Sequence, residues 1–535
     1  MKIRRSYVTQ KQTPFTIRTY LFEVTVTFLC LILLADCASL PGKEPGTPGI
    51  LQEHGRTARL ATIFDPAVIK HSDDSGFILL RDGDRALRER LYLADIADHS
   101  IDVQYYIWNR DMSGKLLARK LIEAADRGVS VRILLDDFSV GDRSELLLTV
   151  NSHANIQIRV YNPFVYRAGA AKWLNFAFDF ERLNRRMHNK TYSVDGVAAI
   201  VGGRNIGDEY FNHNENLNFI DLDLFTVGSV VRQVSRSFQE YWASPWAIAI
   251  DRLVQSDFEQ PGNDRIAALV DANKKELAWV LYSGQSGSPE SHFAQSAKEL
   301  VWAPAMFIYD QPGGENNDAY QQGPKRVASH LLQLATDSDR EILLESAYFV
   351  LDESALALAA RLREKGVEVR ALTNSMASND VLPNHTSYAM VREDILRQGI
   401  ELHELRPDAL SCLEYVGQEK YCDQDSFLGL HAKAAIFDRK TVYVGSCNLN
   451  LRSAYLNTEA GMFIESPLLA EIIAEQIESY MTLENSWRPI LRDDNVVWVT
   501  KSNGKEEIIL HEPQTSWLER VKEGILTLVP GAQYY

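Results

Sequence analysis

Cysteine, positive charge and long apolar runs are all scarce in this 535-residue sequence. Its five cysteines include no Cys-x-x-Cys pair and no His-rich ligand spacing, so neither a disulfide framework nor a structural zinc site is indicated. The net charge of −16 provides no general attraction for nucleic acid, and any polyanion would have to meet a local basic site. With 45% hydrophobic residues the chain can still bury large cores, and its length predicts two structural units.

The first 38 residues have the outline of a bacterial export signal. Five basic residues precede the apolar run at 24–35, which has about a dozen residues where a membrane-spanning helix needs roughly 20. Residues 34–37 (LADC) resemble the lipobox of bacterial lipoproteins, except that Asp36 replaces a small residue. Lipidation at Cys37, cleavage nearby and an uncleaved anchor remain alternatives. Each predicts a protein exported to the periplasmic side of a bacterial cell membrane and associated with it.

Three cysteines lie in the body of the chain, at Cys412, Cys422 and Cys447. In an exported protein Cys412 can pair with Cys422, and free or buried thiols are the alternative. The sequence leaves both open.

The body repeats one pattern of strand, helix and strand. A β-branched and aromatic segment at 101–108 precedes a helical pattern that stops at Gly128, and a second apolar strand follows. The same order recurs at 342–348, 353–365 and 367–373. This order predicts parallel pairing through right-handed crossovers, hence two α/β lobes. We predict a linker over 39–75, a first lobe over 76–250, a connector or insertion over 251–325, a second lobe over 326–495 and a C-terminal extension over 496–535.

Two short motifs match each other within this repeat. HNKTYSVDG at 188–196 is echoed by HAKAAIFDR at 431–439. Gly202 and Gly445 each lie 14 residues after their histidine, and Asn205 and Asn448 each lie 17 after it. Several matched spacings indicate a duplication. The motif residues predicted to form one site are His188, Lys190, Asp195, His431, Lys433 and Asp438.

These residue types suit a reaction at a phosphodiester. In a strand, the first and third motif residues share one face, so each histidine lies beside a lysine. One imidazole can attack phosphorus while another donates a proton to the departing alkoxide, and this chemistry uses neither a metal nor another cofactor. We expect the negative charge on the phosphate to be bound by Lys190, Lys433, Asn205 and Asn448, with Gly203 and Ser446 allowing the backbone to approach closely.

The motifs, with the surrounding RRMHNKTYSVDG, VGGRNIGDEYF, LTNSMASND, GLHAKAAIFD and EIILHEPQTSWLERV, resemble the phospholipase D superfamily and, within it, bacterial cardiolipin synthases of the C type. The resemblance implies two α/β lobes whose motifs meet at a pseudo-twofold active-site interface. It also implies His188 as the nucleophile, His431 as the acid and base, and one later carboxylate paired with each histidine. Those carboxylates match Asp221 and Glu459, with Asp223 as the alternative to the former.

The resemblance further implies that Asp195 and Asp438 support the motif geometry. The implied reaction transfers a phosphatidyl group to phosphatidylglycerol, forming cardiolipin through a phosphohistidine, with phosphatidylethanolamine as a candidate second substrate. Hydrolysis to phosphatidic acid is the main alternative, and a nuclease or an inactive membrane scaffold is a further one. We expect a monomer that binds phospholipids and the membrane and does not bind nucleic acid.

Two outer features carry open alternatives. The arginines near the motifs either bind lipid phosphates or form ordinary surface ion pairs: Arg185, Arg186, Arg204 and Arg452. Ser516 caps a predicted helix with Trp517, Leu518, Val521, Ile525 and Leu528 on one broad face. We predict that this face packs on a lobe, and the alternative is that it lies on a bilayer.

Overall fold

A computed structural model describes residues 57–167, 175, 179–254, 287–313, 323–416, 422, 427–502 and 504–527. The predicted export segment, including Cys37, lies outside the described residues. None of the helices in those ranges combines the length and the apolar character needed to cross a membrane.

The strands occur along the whole described chain. In chain order they are β1 (Ser75–Leu80), β2 (Ser100–Tyr105), β3 (Ser130–Asp136), β4 (Ile156–Tyr161), β5 (Thr191–Val194), β6 (Ala198–Gly202), β7 (Leu217–Ile220), β8 (Asp223–Gly228), β9 (Ala247–Ala249), β10 (Val301–Ala303), β11 (Ala305–Tyr309), β12 (Glu341–Ser346), β13 (Glu368–Asn374), β14 (Glu401–Leu405), β15 (Phe427–Leu430), β16 (Lys433–Phe437), β17 (Thr441–Gly445), β18 (Ala460–Glu465), β19 (Ser486–Arg492), β20 (Asn495–Ser502) and β21 (Lys505–Ile509).

Two large sheets share the order of seven central strands, from β8 to β9 in the first and from β18 to β19 in the second. The first sheet reads β10-β1-β8-β6-β5-β2-β3-β4-β9, and the second reads β11-β18-β17-β16-β12-β13-β14-β19-β20-β21. In each sheet three strands pair in parallel, β2-β3-β4 and β12-β13-β14, and the motif hairpin joins them antiparallel. The predicted fold class, two α/β lobes related by a duplication, is confirmed.

The helices connect the strands and cover the sheets. In chain order they are α1 (Arg59–Lys70), α2 (Gly83–Ile96), α3 (Met112–Asp126), α4 (Ser144–Asn151), α5 (Phe180–Leu183), α6 (Val231–Ala243), α7 (Ile250–Leu253), α8 (Pro289–Glu299), α9 (Arg326–Asp337), α10 (Glu353–Lys365), α11 (Leu382–Arg397), α12 (Ser411–Val416), α13 (Pro467–Tyr480) and α14 (Trp517–Leu526).

The two crossover helices show how local sequence sets their limits. The Asp111 carboxylate accepts a hydrogen bond from the Gly114 N–H at the start of α3, and the Asp352 carboxylate accepts one from the Ala355 N–H at the start of α10. Helix α10 ends at Gly366, whose φ of +83° is the left-handed conformation that glycine adopts without strain. These helices return the chain for the next parallel strand.

The lobes meet through a shared apolar core and a small sheet. Val201 and Leu224 of the first lobe belong to the same buried cluster as Ala434 and Val444 of the second. Strands β7 and β15 pair in parallel across the interface. These contacts bring the segments around the two motifs together.

Several boundaries differ from the sequence-based ones. Helix α1 lies within the predicted linker, 39–75, but buries Leu60 and Phe64 in the core of the first lobe. The predicted connector supplies one edge strand to each sheet, β10 and β11. The second sheet continues beyond residue 495 through β20 and β21. Cys412 and Cys422 form a disulfide, and Cys447 is a buried free thiol.

Candidate active site

Both motifs begin beside a β-hairpin, and the motif aspartates fix the turn end of that hairpin. Asp195 and Asp438 each adopt a φ of +53° at the turn. The Asp195 carboxylate accepts hydrogen bonds from the backbone N–H groups of residues 98, 99 and 100, at 2.8 to 3.0 Å. The Asp438 carboxylate accepts them from residues 339, 340 and 341, at 2.8 to 3.1 Å. Each aspartate therefore ties its hairpin to the start of the neighbouring parallel strand.

The histidine of each motif is held against the other lobe through its backbone. The His188 N–H donates to the Thr458 carbonyl at 2.8 Å, and Met187 and Thr458 form a parallel β-bridge. The His431 N–H donates to the Ile220 carbonyl at 2.8 Å, directly after β15 pairs with β7. The chain leading to each histidine thus runs beside the chain leading to a carboxylate of the opposite lobe.

Each imidazole makes a hydrogen bond with that carboxylate. His188 Nδ1 lies 2.9 Å from Glu459 Oε2, and His431 Nδ1 lies 2.6 Å from Asp221 Oδ2. All four side chains are buried, and each pair joins the two lobes. Because the carboxylate occupies Nδ1, the Nε2 of each ring is the nitrogen left for chemistry.

Of the two candidate carboxylates in the first lobe, Asp221 contacts the histidine and Asp223 does not. Asp223 is fully buried and bonds Arg90 at 2.8 Å. Arg204 lies 3.5 Å from Asp223 and donates to the Asp221 carbonyl at 2.7 Å. The alternative of Asp223 as the partner of histidine is therefore wrong.

Both sequence-based alternatives for Arg204 and Arg186 are wrong as well. Arg204 is fully buried and donates to carbonyls, including that of Leu80 at 2.7 Å. Arg186 is fully buried and bonds Asp136 at 3.1 Å. These two arginines support the site from inside the protein. Arg185 instead pairs with Glu181, and Arg452 contacts Asn184.

The motif lysines lie in the same buried region as the histidines. Lys190 Nζ donates to the His188 carbonyl at 2.6 Å and lies 5.6 Å from the centre of the Tyr106 ring. Lys433 Nζ donates to the His431 carbonyl. Both lysines are nearly inaccessible to solvent, so the site concentrates two cations where water is largely excluded.

The asparagines are buried with the lysines. Asn205 Oδ1 accepts from the backbone N–H of Ile107 at 3.2 Å, which leaves its amide N–H groups as donors. Asn448 Oδ1 has no hydrogen-bond partner among the described residues.

Gly203 and Ser446 occupy equivalent positions behind the imidazole–carboxylate pairs. A Cβ at Gly203 would collide with the Asp221 carboxylate. The Ser446 hydroxyl donates to Glu459 Oε2 at 2.5 Å, and its carbonyl lies 3.1 Å from His188 Nδ1. The contacts that these residues make are therefore with the carboxylates, whereas the sequence predicted an approach to phosphate.

Burial and charge set the protonation of the pairs. Burial lowers the pKa of His188 to about 4, although the Glu459 charge opposes it. Burial, with the charge of Lys433, lowers the pKa of His431 to about 3. Burial alone would raise the pKa of Asp221, but its neighbours His431 and Lys433 outweigh burial and lower it to about 2. At neutral pH the free site therefore holds neutral imidazoles beside carboxylates that accept from Nδ1–H, with the Nε2 lone pairs available.

The lysine pKa values are also displaced. Burial lowers the pKa of Lys190 to about 7 and that of Lys433 to about 8, while Glu459 and Asp221 act in the opposite direction. An anion entering the site would favour the protonated lysines, because it replaces the water that they lost on burial.

Comparisons with known proteins show the family of this chain. The sequence pattern described as "Cardiolipin synthase, PLD-like domain" matches residues 92–242 and 331–481, more than half of the chain. Cardiolipin synthase C of Escherichia coli (strain K12) is 36% identical over 477 residues, which cover 88% of this chain and 98% of that protein. The chain belongs to the cardiolipin synthase family with phospholipase D-like domains.

Two further proteins are similar to this chain over most of its length. An uncharacterized protein of Helicobacter pylori (strain ATCC 700392 / 26695) is 29% identical over 515 residues, covering 93% of this chain and 97% of that protein. The crystal structure of phosphatidylserine synthase from Haemophilus influenzae Rd KW20 is similar with a TM-score of 0.52, at 14% identity, over 87% of this chain and 96% of that chain. This last likeness shows the fold alone.

Sequence reasoning missed Asp136 and Asn374, whose side chains bind the backbone directly before each motif histidine. The N–H of Met187, just before His188, donates to the Asp136 carboxylate at the end of β3 at 2.9 Å. The N–H of Leu430, just before His431, donates to the Asn374 side chain at the end of β13 at 2.8 Å. Both residues end equivalent strands, and that repeated position was a signal available in the sequence.

Three other buried groups lie behind the carboxylates. The Glu459 N–H donates to Asp310 at 2.9 Å, and the Asp221 N–H donates to the Tyr415 hydroxyl at 2.8 Å. Glu345 is buried with Oε1 unpartnered among the described residues, and burial with the charge of Asp221 raises its pKa to about 8. No local pattern marked these residues, because their contacts join distant parts of the chain.

Only one group of described side chains has the spacing to hold a metal ion, and it lies outside this site: His385, Glu512 and Glu523.

Proposed function

We propose that the chain is a phosphatidyltransferase that makes cardiolipin from phosphatidylglycerol and a second phospholipid through a phosphohistidine. The observation that carries this proposal is the crossed pairing of the motifs: each buried imidazole has its Nδ1 on a carboxylate of the opposite lobe, at 2.9 and 2.6 Å. Two equivalent imidazoles that share one interface suit a two-step exchange at a single phosphorus.

In the first step His188 Nε2 attacks the phosphorus of the donor phospholipid. The bond from phosphorus to the headgroup oxygen breaks, and His431 donates its proton to that oxygen. In the second step the neutral His431 takes the proton from a glycerol hydroxyl of phosphatidylglycerol. That oxygen bonds to phosphorus, the phosphorus–nitrogen bond breaks, and His188 is regenerated. The anionic phosphate beside His431 favours the proton that this ring must hold in the first step.

The remaining polar groups of the site have roles that follow from charge. Lys190 and Lys433 balance the negative charge on the phosphate oxygens, and the amides of Asn205 and Asn448 donate to them. Glu459 and Asp221 hold Nδ1 protonated and stabilise the positive charge that each ring carries during a step.

The test is to identify the products from labelled phosphatidylglycerol, incubated with the purified full chain in vesicles with and without phosphatidylethanolamine. We expect labelled cardiolipin, and we expect His188→Ala and His431→Ala to abolish it. His403→Ala is a matched control, because His403 is a buried histidine of the second lobe that bonds Glu401 at 2.8 Å, outside the site. Phosphatidic acid as the sole product would replace transfer by hydrolysis, and complementation of synthase-deficient cells by the double alanine variant would indicate a scaffold.

We also propose that the protein is exported and works at a membrane surface. A disulfide such as Cys412–Cys422 is typical of oxidising compartments outside the cytosol. The prediction that α14 packs its apolar face on a lobe is wrong for the described residues, since Trp517, Leu518, Val521 and Ile525 are all exposed, Trp517 by 65%. Leu528 lies outside the described residues. An exposed apolar helix face of this kind suits the surface of a bilayer.

Lipidation at Cys37 remains part of this proposal. Growth with a radiolabelled fatty acid tests it: we expect label on the wild-type chain and none on Cys37→Ser. Equal labelling of both proteins, or none of either, would leave an apolar anchor or simple cleavage as the export route.

A further inference from the structure

Three side chains from distant parts of the chain converge beside the second lobe. His385 lies on α11, Glu512 follows β21, and Glu523 lies on α14. Their potential ligand atoms all lie within 4.8 Å of one another. His385 is completely buried, and each glutamate is only 9% exposed. The cluster is therefore closed to solvent, unlike a chance group of surface acids.

Two atoms in this cluster face each other without a partner. Glu523 Oε1 lies 2.7 Å from His385 Nδ1, which orients the ring and leaves Nε2 free. His385 Nε2 lies 3.9 Å from Glu512 Oε2, too far for a hydrogen bond. Neither atom has a hydrogen-bond partner among the described residues, and both are buried. Leaving two such groups unpaired is costly, so a third species between them is expected.

The charges around the cluster indicate a cation. Arg392 donates to Glu404 at 3.0 Å and to Glu512 Oε1 at 2.5 Å. One guanidinium thus serves two carboxylates, and Glu523 adds a third. Three carboxylates therefore share one guanidinium in this buried cluster. A positive species beside Glu512 Oε2 would restore the balance.

The donor set matches a borderline transition metal. Imidazole nitrogen and carboxylate oxygen are ordinary zinc ligands, and a histidine that binds zinc commonly donates its other N–H to a carboxylate, as His385 does to Glu523. Two ligand atoms on one tetrahedral zinc lie about 3.4 Å apart, half an ångström closer than Nε2 and Oε2. We propose that the chain binds one divalent cation of the zinc class between His385 Nε2 and Glu512 Oε2, with Glu523 orienting the imidazole.

Such an ion would explain how α14 is held. Glu523 is the only buried residue of this helix. Four of its large apolar side chains are exposed and Leu526 is half-buried. Apolar packing therefore contributes little to its attachment. The cation would link α14 and the segment after β21 to α11, and the C-terminal extension would be fixed to the second lobe. His385, Glu512 and Glu523 are separated by 127 and 11 residues along the chain, so no spacing pattern in the sequence reveals them.

The experiment measures zinc content and zinc-dependent stability of the tag-free full chain. We expect about one zinc per chain after dialysis, a melting temperature that rises with added zinc and falls with chelator, and no such response in His385→Gln or Glu512→Gln. Glu523→Gln should weaken zinc binding by about 10- to 100-fold, as expected for the partner of a metal-bound histidine. Titration calorimetry on the wild-type chain gives the stoichiometry even if a variant fails to fold.

His403→Gln is the matched control, because this buried histidine also pairs with a glutamate, Glu401, but its other ring nitrogen contacts the Ser486 hydroxyl. It should bind zinc like the wild type. A wild-type chain that holds no stoichiometric zinc and whose melting temperature ignores zinc would overturn the proposal. Stability that rises as the pH falls but not with zinc would likewise overturn it, and would show instead that a protonated His385 bridges the two carboxylates. None of these readouts depends on the proposed transfer reaction.

Discussion

Replacing Glu459 with glutamine removes one negative charge beside His188 and keeps the side chain's size. In the wild-type site Glu459 Oε2 accepts from His188 Nδ1 at 2.9 Å and from the Ser446 hydroxyl at 2.5 Å. Glu459 Oε1 has no partner among the described residues. The amide introduced by Glu459→Gln can therefore keep its oxygen toward both donors, so the orientation of the ring is preserved and the change is mainly electrostatic.

The magnitude follows from the charge that His188 acquires. As Nε2 attacks phosphorus, the ring becomes cationic. Between charge centres about 4 Å apart, the interaction lost with the carboxylate is worth about 4 kcal/mol at an effective dielectric constant of 20. Since about 1.4 kcal/mol corresponds to a factor of ten, kcat should fall by about 1000-fold. The ring is neutral in the ground state, so KM should change little.

The assay compares kcat and KM for cardiolipin formation in the wild type, Glu459→Gln and the control Glu465→Gln. The control changes an exposed glutamate at the end of β18, the strand that begins directly after Glu459. Single-turnover kinetics should show slower transfer of the labelled phosphatidyl group to the protein. If kcat falls by less than tenfold, or if KM rises while kcat is unchanged, the role given to the His188–Glu459 pair is refuted.

Three other changes test separate parts of the structure. In urea titrations Glu345→Gln should stabilise the folded protein by roughly 2–4 kcal/mol at pH 7 and leave its stability unchanged near pH 4. The reason is that a buried carboxyl with a pKa of about 8 destabilises the wild-type fold as the pH rises. Equal gains at both pH values would contradict this. Asp438→Ala should lower the free energy of unfolding by about 2–3 kcal/mol at neutral pH, because it removes three backbone hydrogen bonds. Those bonds lower the pKa of Asp438 against the effect of burial, so the difference from the wild type should close as acid protonates Asp438. A difference that persists at low pH would argue against this role. Trp517→Ser with Val521→Ser should weaken sedimentation with phosphatidylglycerol vesicles at an unchanged melting temperature, whereas a lower melting temperature would mean that another part of the chain covers this face.

The duplicated motifs allowed much of the site to be predicted. Matched spacings gave His188 and His431 equivalent positions, which lie just before β5 and β16. The carboxylate opposite each ring followed from the family resemblance. The choice between Asp221 and Asp223 could not be made, because both lie on the same side of one extended segment. Arg90, 133 residues from Asp223, decides it by pairing with that residue. A contact between distant residues leaves no periodicity in the sequence.

The boundary between the predicted linker and the first lobe differs from the structure for a similar reason. Helix α1 contains Pro66 and lies within the linker predicted over 39–75. Only the lobe that it covers shows why Leu60 and Phe64 are buried. Glu345 occupies a polar position in a strand, but it is buried, and the charge of Asp221 in the other lobe helps to raise its pKa. In each case burial is a property of the assembled lobes, whereas the sequence contains only the local pattern.

The differences between the two copies bear on which histidine attacks. Gln104 and Glu345 are equivalent, since each pairs in its sheet with the third residue after a motif histidine. The first lobe therefore has a side chain that cannot ionise at this position, and the second has a carboxyl whose charge is felt by Lys433. A ring that gives a proton in one step and takes it back in the next benefits from a neighbouring carboxyl that can adjust its protonation. This asymmetry supports His188 as the attacking ring and His431 as the acid and base.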